Sequence, residues 1–132
     1  MKTTRISVIG VGYLGAVHAA AMAELGHDVV GLDVDAERIA TLQSGRAPFH
    51  EPGFEETLAR GLGAERLRFT TDYAGIADAD VLLAQLEIPL DVIVTAARAR
   101  GKQTKFVLNA APSTELPDEL WREIDLDRKS VV

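Results

Sequence analysis

Short apolar runs alternate with segments of helical periodicity along most of this sequence. Runs rich in β-branched residues predict buried strands, and they occur at residues 5–9, 28–32, 67–70, 81–86 and 105–108. Segments with apolar residues three or four positions apart predict helices. These segments lie at residues 13–25, 36–44, 54–62, 89–100 and 117–124, with a short helical turn at 72–77.

This alternation of strands and helices predicts an α/β fold, a Rossmann-like doubly wound parallel sheet of about five strands. Helices on both faces would make it a three-layer α/β/α sandwich. Right-handed crossovers favour the strand order 3-2-1-4-5. We expect residues 1–127 to form this single domain. Residues 128–132 show no periodicity and are expected to form a tail.

Length and composition narrow the range of functions. The chain has 132 residues, 47% of them hydrophobic and 26% charged, which is typical of one globular domain and too short for a two-domain enzyme. The formal net charge of −6 argues against a nucleic-acid partner, because such surfaces need clustered basic residues. The sequence contains no cysteine, which excludes disulfides, thiolate metal sites and a cysteine nucleophile.

The N-terminal segment has some features of a secretion signal. Lys2 and Arg5 precede an apolar stretch at residues 6–22 that ends in small residues. Glycines interrupt this stretch, and a turn explains them better. It is also too interrupted for a membrane span of roughly 20 apolar residues. We therefore expect a cytoplasmic protein with no membrane partner.

The strongest chemical signal is the sequence G-x-G-x-x-G at residues 10–15, between the first predicted strand and the first predicted helix. In this setting Gly10 would allow the tight turn, Gly12 would let the backbone approach a pyrophosphate, and Gly15 would let the helix pack closely on the strand. The free N–H groups of Gly12, Tyr13 and Leu14 would then face the phosphates of a dinucleotide.

An acidic residue completes this pattern. Asp33 ends the second predicted strand, where a carboxylate can accept hydrogen bonds from the adenosine ribose hydroxyls. It would repel a 2′-phosphate, so NAD(H) is favoured over NADP(H). Arg38, in the next predicted helix, could lie over the adenine or reach the ribose. The alternatives are that Asp33 caps that helix and that Arg38 is simply solvated. FAD and S-adenosylmethionine sites also use such an acid, but the glycine spacing and short chain make FAD the weaker candidate.

Residues from Arg5 to about residue 80 resemble the UDP-glucose 6-dehydrogenase family. The resemblance is carried by I-S-V-I-G-V-G-Y-L-G-A-V-H-A-A, V-V-G-L-D-V-D, S-G-R-A-P-F-H-E-P-G-F-E-E and L-R-F-T-T-D-Y. The E-P-G segment at residues 51–53 is particularly specific to this family. The resemblance implies NAD binding through residues 10–14 (Gly10, Val11, Gly12, Tyr13 and Leu14), with Asp33 and Arg38 at the adenosine ribose.

Beyond residue 80 the resemblance changes. The V-x-T-P turn and the S-T-V-P-x-G-T segment of the dehydrogenases do not occur, and residues 81–126 resemble an internal segment of ribokinase-type sugar kinases. Asn109 matches a kinase residue near the nucleotide phosphates, whereas the kinase G-A-G-D loop is absent. We interpret the chain as a chimera joined at residues 79–81, either engineered or a natural fusion.

These observations favour a domain that binds NAD(H) without catalytic machinery, and they identify no catalytic residue. Two alternatives stay open: a structural recombination of two folds with no ligand, or the remnant of a UDP-glucose 6-dehydrogenase oxidoreductase. The adjacent pair His50 and Glu51 has no third ligand in register, so we expect no metal site. The expected oligomeric state is a monomer or a weak homodimer.

Overall fold

The computed structural model describes residues 3–85, 89–110 and 126–129, together with the single residues 118 and 122. The strands are β1 (Arg5–Ile9), β2 (Asp28–Leu32), β3 (Leu67–Thr70), β4 (Val81–Gln85), β5 (Lys105–Ala110) and β6 (Leu126–Lys129). The helices are α1 (Tyr13–Glu24), α2 (Ala36–Gln43), α3 (Phe54–Gly63) and α4 (Leu90–Ala99), with a 3₁₀ helix at Tyr73–Ile76.

The strands form one parallel sheet in the order β3-β2-β1-β4-β5-β6. The predicted Rossmann-like fold and its order 3-2-1-4-5 are confirmed. The central strand β1 pairs with β2 on one side and β4 on the other, so that Ile6 lies between Val29 and Val81. From β1 the chain adds strands on one side as far as β3 and then on the other side from β4 onward. In such a sheet a ligand is expected at the carboxyl end of β1, where this change of side occurs.

The sixth strand corrects one prediction. Arg128 and Lys129, assigned from the sequence to a tail, belong to β6 and pair with Asn109 and Ala110 of β5. The segment L-D-R-K lacks the apolar run of a buried strand, so backbone pairing at the edge of the sheet gives it this conformation. The predicted helix at residues 117–124 lies almost wholly outside the described residues.

Two apolar cores lie on opposite faces of the sheet and confirm the three layers. On one face α1, α2 and α3 cover the strands, with a core that includes Val8, Ala20, Leu42, Leu58 and Phe69. On the other face α4 and the 3₁₀ helix cover a second core that includes Leu32, Ile76, Leu82, Ile93 and Phe106. Alternate residues of each strand point to opposite faces, which is why β1 contributes Val8 to one core and Ile9 to the other.

The helix ends follow local sequence signals closely. Asp35 caps α2, since its carboxylate accepts hydrogen bonds from the N–H groups of Glu37 and Arg38, each at 3.1 Å. α3 continues through Gly63, one residue beyond the predicted end, and Glu65 carries the left-handed φ of 59° that follows it. No helix in the described part of the chain is long and apolar enough to cross a membrane.

Candidate functional site

The turn between β1 and α1 has the geometry expected of its glycines. Gly10 has a φ of 87°, a left-handed conformation that favours glycine, and its N–H donates to the carbonyl of Leu32 at 2.8 Å. A Cβ on Gly15 would overlap the carbonyl oxygen of Gly10, so α1 can pack this closely only if residue 15 has no side chain. The predicted tight turn and close helix packing are both confirmed.

Gly12 differs from these two glycines. Its φ of −68° and ψ of −157° are open to any residue, and a Cβ built on it would have no described atom within 4 Å other than those of its two chain neighbours. Packing within the chain therefore does not require glycine at this position. The space beside Gly12 is open at the N-terminus of α1, where a ligand could approach the backbone closely.

The N-terminus of α1 differs from those of the other described α-helices. α1 has no side-chain cap and no acidic residue in its first turn. The other described α-helices each carry an acid there: α2 has Glu37 beyond its Asp35 cap, α3 has Glu55 and Glu56, and α4 has Asp91. Free N–H groups and an unpaired helix dipole favour an anion at the start of α1.

Asp33 connects the glycine turn to the end of β2. The residue is only 6% exposed. One carboxylate oxygen, Oδ2, accepts hydrogen bonds from the Val11 N–H at 3.0 Å and from Arg38 Nη1 at 3.2 Å, and Oδ1 accepts from the Asp35 N–H at 3.0 Å. The cap of α2 is Asp35, so Asp33 is free of that role. The N–H of Val11 is engaged by Asp33, and the NAD contact that the resemblance implies for Val11 stays a prediction.

Asp33 retains acceptor capacity for a ligand. A carboxylate offers about four lone-pair sites, and three donors are in place. Counting donors from the described residues, one site stays open on Oδ1, and a second would open on Oδ2 if Arg38 moved away. A vicinal diol, such as the two hydroxyls of a ribose, could therefore engage both oxygens in exchange for Arg38.

A cleft of about 200 Å³ lies beside Asp33. Its lining includes Gly10, Asp33 and Arg38, which the sequence singled out, and also Val34, Pro89 and Val92, which sequence reasoning missed. Val34 is 59% exposed, and the sequence signal that could have identified it is an apolar residue directly after the acid at the end of the second strand. The cleft is smaller than the roughly 300–1,000 Å³ of pockets that enclose whole ligands, so it would hold part of a dinucleotide.

Tyr13 links the glycine turn to the loop between α2 and α3. Its ring packs edge-on against Phe49, with 5.0 Å between centroids, and its hydroxyl donates a hydrogen bond to Glu51 Oε2. This bond raises the pKa of the Tyr13 phenol above its ordinary value, because only the neutral phenol can donate, and desolvation and the Glu51 charge act in the same direction. Leu14 follows in the first turn of α1 and is half-buried. Sequence reasoning considered Glu51 only as a metal ligand and missed this contact.

A larger groove, of about 430 Å³, lies at the amino ends of β1, β2 and β3. Arginine and aspartate side chains meet there in ion pairs, Arg66 with Asp28 and Arg5 with Asp80, both at 3.3 Å. Ligands of open parallel sheets bind at the carboxyl ends of the strands. We therefore place the candidate site at the smaller cleft beside the glycine turn.

Comparison with protein-family models gives a match over residues 4–113 to the UDP-glucose/GDP-mannose dehydrogenase family, NAD binding domain. The matched range includes the glycine turn, Asp33 and Arg38. It also continues past residue 80, into the segment that we interpreted from the sequence as kinase-like.

Individual relatives agree with this match. The chain is 50% identical over 84 residues to a UDP-glucose 6-dehydrogenase of Haloferax volcanii, covering 64% of this chain and 19% of the relative. It is 36% identical over 109 residues to a UDP-glucose 6-dehydrogenase of Bacillus subtilis, covering 76% and 25%. The chain thus spans between a fifth and a quarter of the length of these two relatives.

Solved structures share the fold. A GDP-mannose dehydrogenase from Pseudomonas aeruginosa aligns with a TM-score of 0.69 and 34% identity, over 80% of this chain and 27% of that one. A UDP-glucose dehydrogenase from Pyrobaculum islandicum aligns with a TM-score of 0.76 and 27% identity, over 99% of this chain and 37% of that one.

The site fits the cofactor of this family on its own geometry. Open space beside Gly12, the uncapped N-terminus of α1 and the remaining acceptor capacity of Asp33 suit the diphosphate and ribose of NAD. NAD is therefore the cofactor that the domain is built for. The chain belongs to the UDP-glucose/GDP-mannose dehydrogenase family, as its NAD-binding domain.

Proposed function

We propose that the domain binds NAD(H) with the diphosphate on the N–H groups of Gly12, Tyr13 and Leu14 and the adenosine ribose on Asp33. The observation that carries the proposal is the buried Asp33 carboxylate. It is hydrogen-bonded to the glycine turn at Val11 and still has room to accept from a diol. A diol would use the acceptor site on Oδ1 that no described donor fills, and it would replace Arg38 on Oδ2.

The adenine would lie in the cleft beside Asp33, between Val34 on one side and Pro89 and Val92 on the other. Arg38 would leave Asp33 when the ribose arrives and lie over the adenine or along the ribose, because its guanidinium lines the same cleft. A 2′-phosphate would bring negative charge against the Asp33 carboxylate, so NAD(H) is preferred over NADP(H).

Bound NAD can accept a hydride from a substrate. We propose that the described residues of this chain contribute binding and orientation of the cofactor, and that they act as the cofactor half of a nucleotide-sugar dehydrogenase. The relatives of that name are about four to five times longer than the aligned segment, as the covered shares of 19% and 25% indicate. Substrate binding and the reacting side chains would then belong to parts beyond this domain.

Titration calorimetry and thermal unfolding with NAD, NADP and ADP-ribose test the proposal. We expect a dissociation constant in the micromolar to millimolar range, about 4–8 kcal/mol, because only the ADP half is enclosed. NAD at about 100 times that constant should stabilise the fold by about 2.7 kcal/mol, and NADP should bind more weakly. A folded domain that gains no stability from NAD at about 10 mM would be a structural unit without this ligand.

The chimera stays a hypothesis about origin. The family match on both sides of residue 80 supports a single parent for residues 4–113. A natural gene product whose peptide masses run continuously through residues 79–81 would exclude an engineered junction.

Sedimentation of the purified domain would decide between the monomer and the weak homodimer that the sequence suggests.

A further inference from the structure

The loop between α2 and α3 contains a turn that fixes the backbone of Glu51. The N–H of Phe54 donates to the carbonyl of Glu51 at 3.2 Å, which closes a four-residue turn. Pro52 occupies its second position and Gly53 its third, with a φ of 83° and a ψ of −11°. These are the residues and angles of a type II turn. The E-P-G sequence therefore holds Glu51 in one place relative to α3.

Three aromatic rings connect this turn to the glycine turn. Phe54 is 4% exposed, so it belongs to the core, and its ring lies 4.9 Å from that of Phe49. Phe49 in turn contacts Tyr13, whose hydroxyl donates to Glu51. Tyr13 remains 46% exposed, so its position depends on these two contacts more than on burial.

The glycine turn is thus held at two points, each by a carboxylate. Asp33 accepts the N–H of Val11 before the turn reaches α1, and Glu51 accepts the hydroxyl of Tyr13 at the first residue of α1. Gly12 lies between them and has no side chain with which to cap the helix. The N–H groups proposed for the diphosphate are those of Gly12, Tyr13 and Leu14, which lie between and just after these two points.

We infer that Glu51 is a positioning residue for the cofactor, which acts through the Tyr13 hydroxyl to hold the first N–H groups of α1 toward the diphosphate. The inference rests on the proposed function. Glu51 need not touch the ligand, and nothing in the family match assigns it this role.

The negative charge of Glu51 has the opposite effect on binding from its hydrogen bond. A carboxylate near a diphosphate weakens binding by repulsion, whereas the bond to Tyr13 favours binding by ordering the turn. The two contributions can be separated by substitution. Glu51→Gln keeps an acceptor for the Tyr13 hydroxyl and removes the charge, whereas Glu51→Ala removes both.

The experiment measures NAD and adenosine affinities of Tyr13→Phe, Glu51→Ala, the double variant and Glu51→Gln by amide NMR titration. Tyr13→Phe should weaken NAD binding about three- to tenfold, the usual range for one lost hydrogen bond, and Glu51→Ala should weaken it less because it also removes the repelling charge. The double variant should bind no worse than either single one, since both remove the same bond. Glu51→Gln should bind NAD at least as tightly as the wild type, and adenosine should bind all variants alike because it lacks the diphosphate.

Glu55→Ala is the matched control, since it removes an exposed carboxylate in the first turn of α3, four residues beyond Glu51. It should leave NAD affinity unchanged. Tyr13→Phe binding NAD like the wild type, or Glu51→Gln binding no more tightly than Glu51→Ala, would overturn the inference. A wild-type domain that does not bind NAD would instead refute the proposed function. Thermal midpoints identify variants that do not fold. If Glu51→Ala does not fold, the NAD affinities of Tyr13→Phe and Glu51→Gln still test whether Glu51 acts through the Tyr13 hydroxyl.

Discussion

Replacing Gly12 by aspartate should stabilise the free domain and abolish its response to NAD. The structure therefore predicts a gain in the stability of the free domain together with a loss of NAD affinity. Residue 12 is the N-cap of α1, its backbone angles suit any residue, and a Cβ would enter open space. The new carboxylate would cap the helix and interact with its positive end. It would also fill the space assigned to the diphosphate and bring a negative charge into it.

The magnitudes can be worked out for each effect. Aspartate exceeds glycine as an N-cap by a few tenths of a kcal/mol, and its charge at a helix N-terminus adds about 0.3–1 kcal/mol. The sum, about 0.5–1 kcal/mol, raises the melting temperature by about 2–5 °C in a domain of this size. A like charge about 4 Å away costs about 4 kcal/mol near a protein surface, which reduces NAD affinity roughly a thousandfold.

Thermal unfolding with and without NAD measures both effects in one assay. The wild-type midpoint should rise by about 10 °C at about 100 times the dissociation constant. Gly12→Asp should start higher and not move. Gly15→Ala is the informative comparison, because its methyl group would overlap the carbonyl of Gly10 and should lower the midpoint of the free domain.

Two results would refute this reasoning, and they refute different parts of it. A Gly12→Asp domain that NAD stabilises as much as the wild type would show that the diphosphate does not lie over this turn. A Gly12→Asp domain that melts well below the wild type without ligand would show that the space beside Gly12 is not open in solution.

Further predictions concern specificity, pH and the core. Asp33→Ser should raise the NADP-to-NAD affinity ratio at least about tenfold in calorimetry, because the repelling carboxylate is gone and Arg38 is released to bind a 2′-phosphate. The pKa values of Tyr13 and Tyr73 are raised, so both phenols are more stable neutral in the folded state. Their contribution to the free energy of unfolding should be fully present below about pH 10 and decrease above it. Urea unfolding at each pH, with tyrosinate absorbance as the signal, measures this decrease. Phe106→Ala, at a site with no exposure, should cost about 3–5 kcal/mol in urea unfolding.

The glycine turn was predictable because its rules are local. The positive φ of Gly10 and the overlap at Gly15 both follow from a strand that turns directly into a helix packed on it. The Asp35 cap is equally local, since its carboxylate reaches only two and three residues ahead. The order of the strands followed from handedness and needed no contact information.

Contacts between segments distant in the sequence were not predictable in the same way. Tyr13 and Glu51 are 38 residues apart, and their bond depends on how the loop before α3 lies on α1. Val92 joins the cleft because α4 begins beside the end of β2. The strand β6 was missed for a related reason, since a short polar segment becomes a strand only through its partner β5. Each of these contacts depends on the tertiary structure, which the pattern of a single segment does not predict.

The acidic character of the chain is compatible with an anionic cofactor because the site uses no excess of basic side chains. The net charge is −6, and Arg38, the one arginine among the described residues that line the cleft, is paired with Asp33. The attraction for phosphate comes instead from backbone N–H groups and the end of α1, whose field is confined to about one turn of helix. The carboxylates of Asp33 and Glu51 are each directed to a donor of the turn, at Val11 and Tyr13. Negative residues thereby order the positive groups of the backbone, so the local field at the turn can favour an anion although the molecule as a whole is negative.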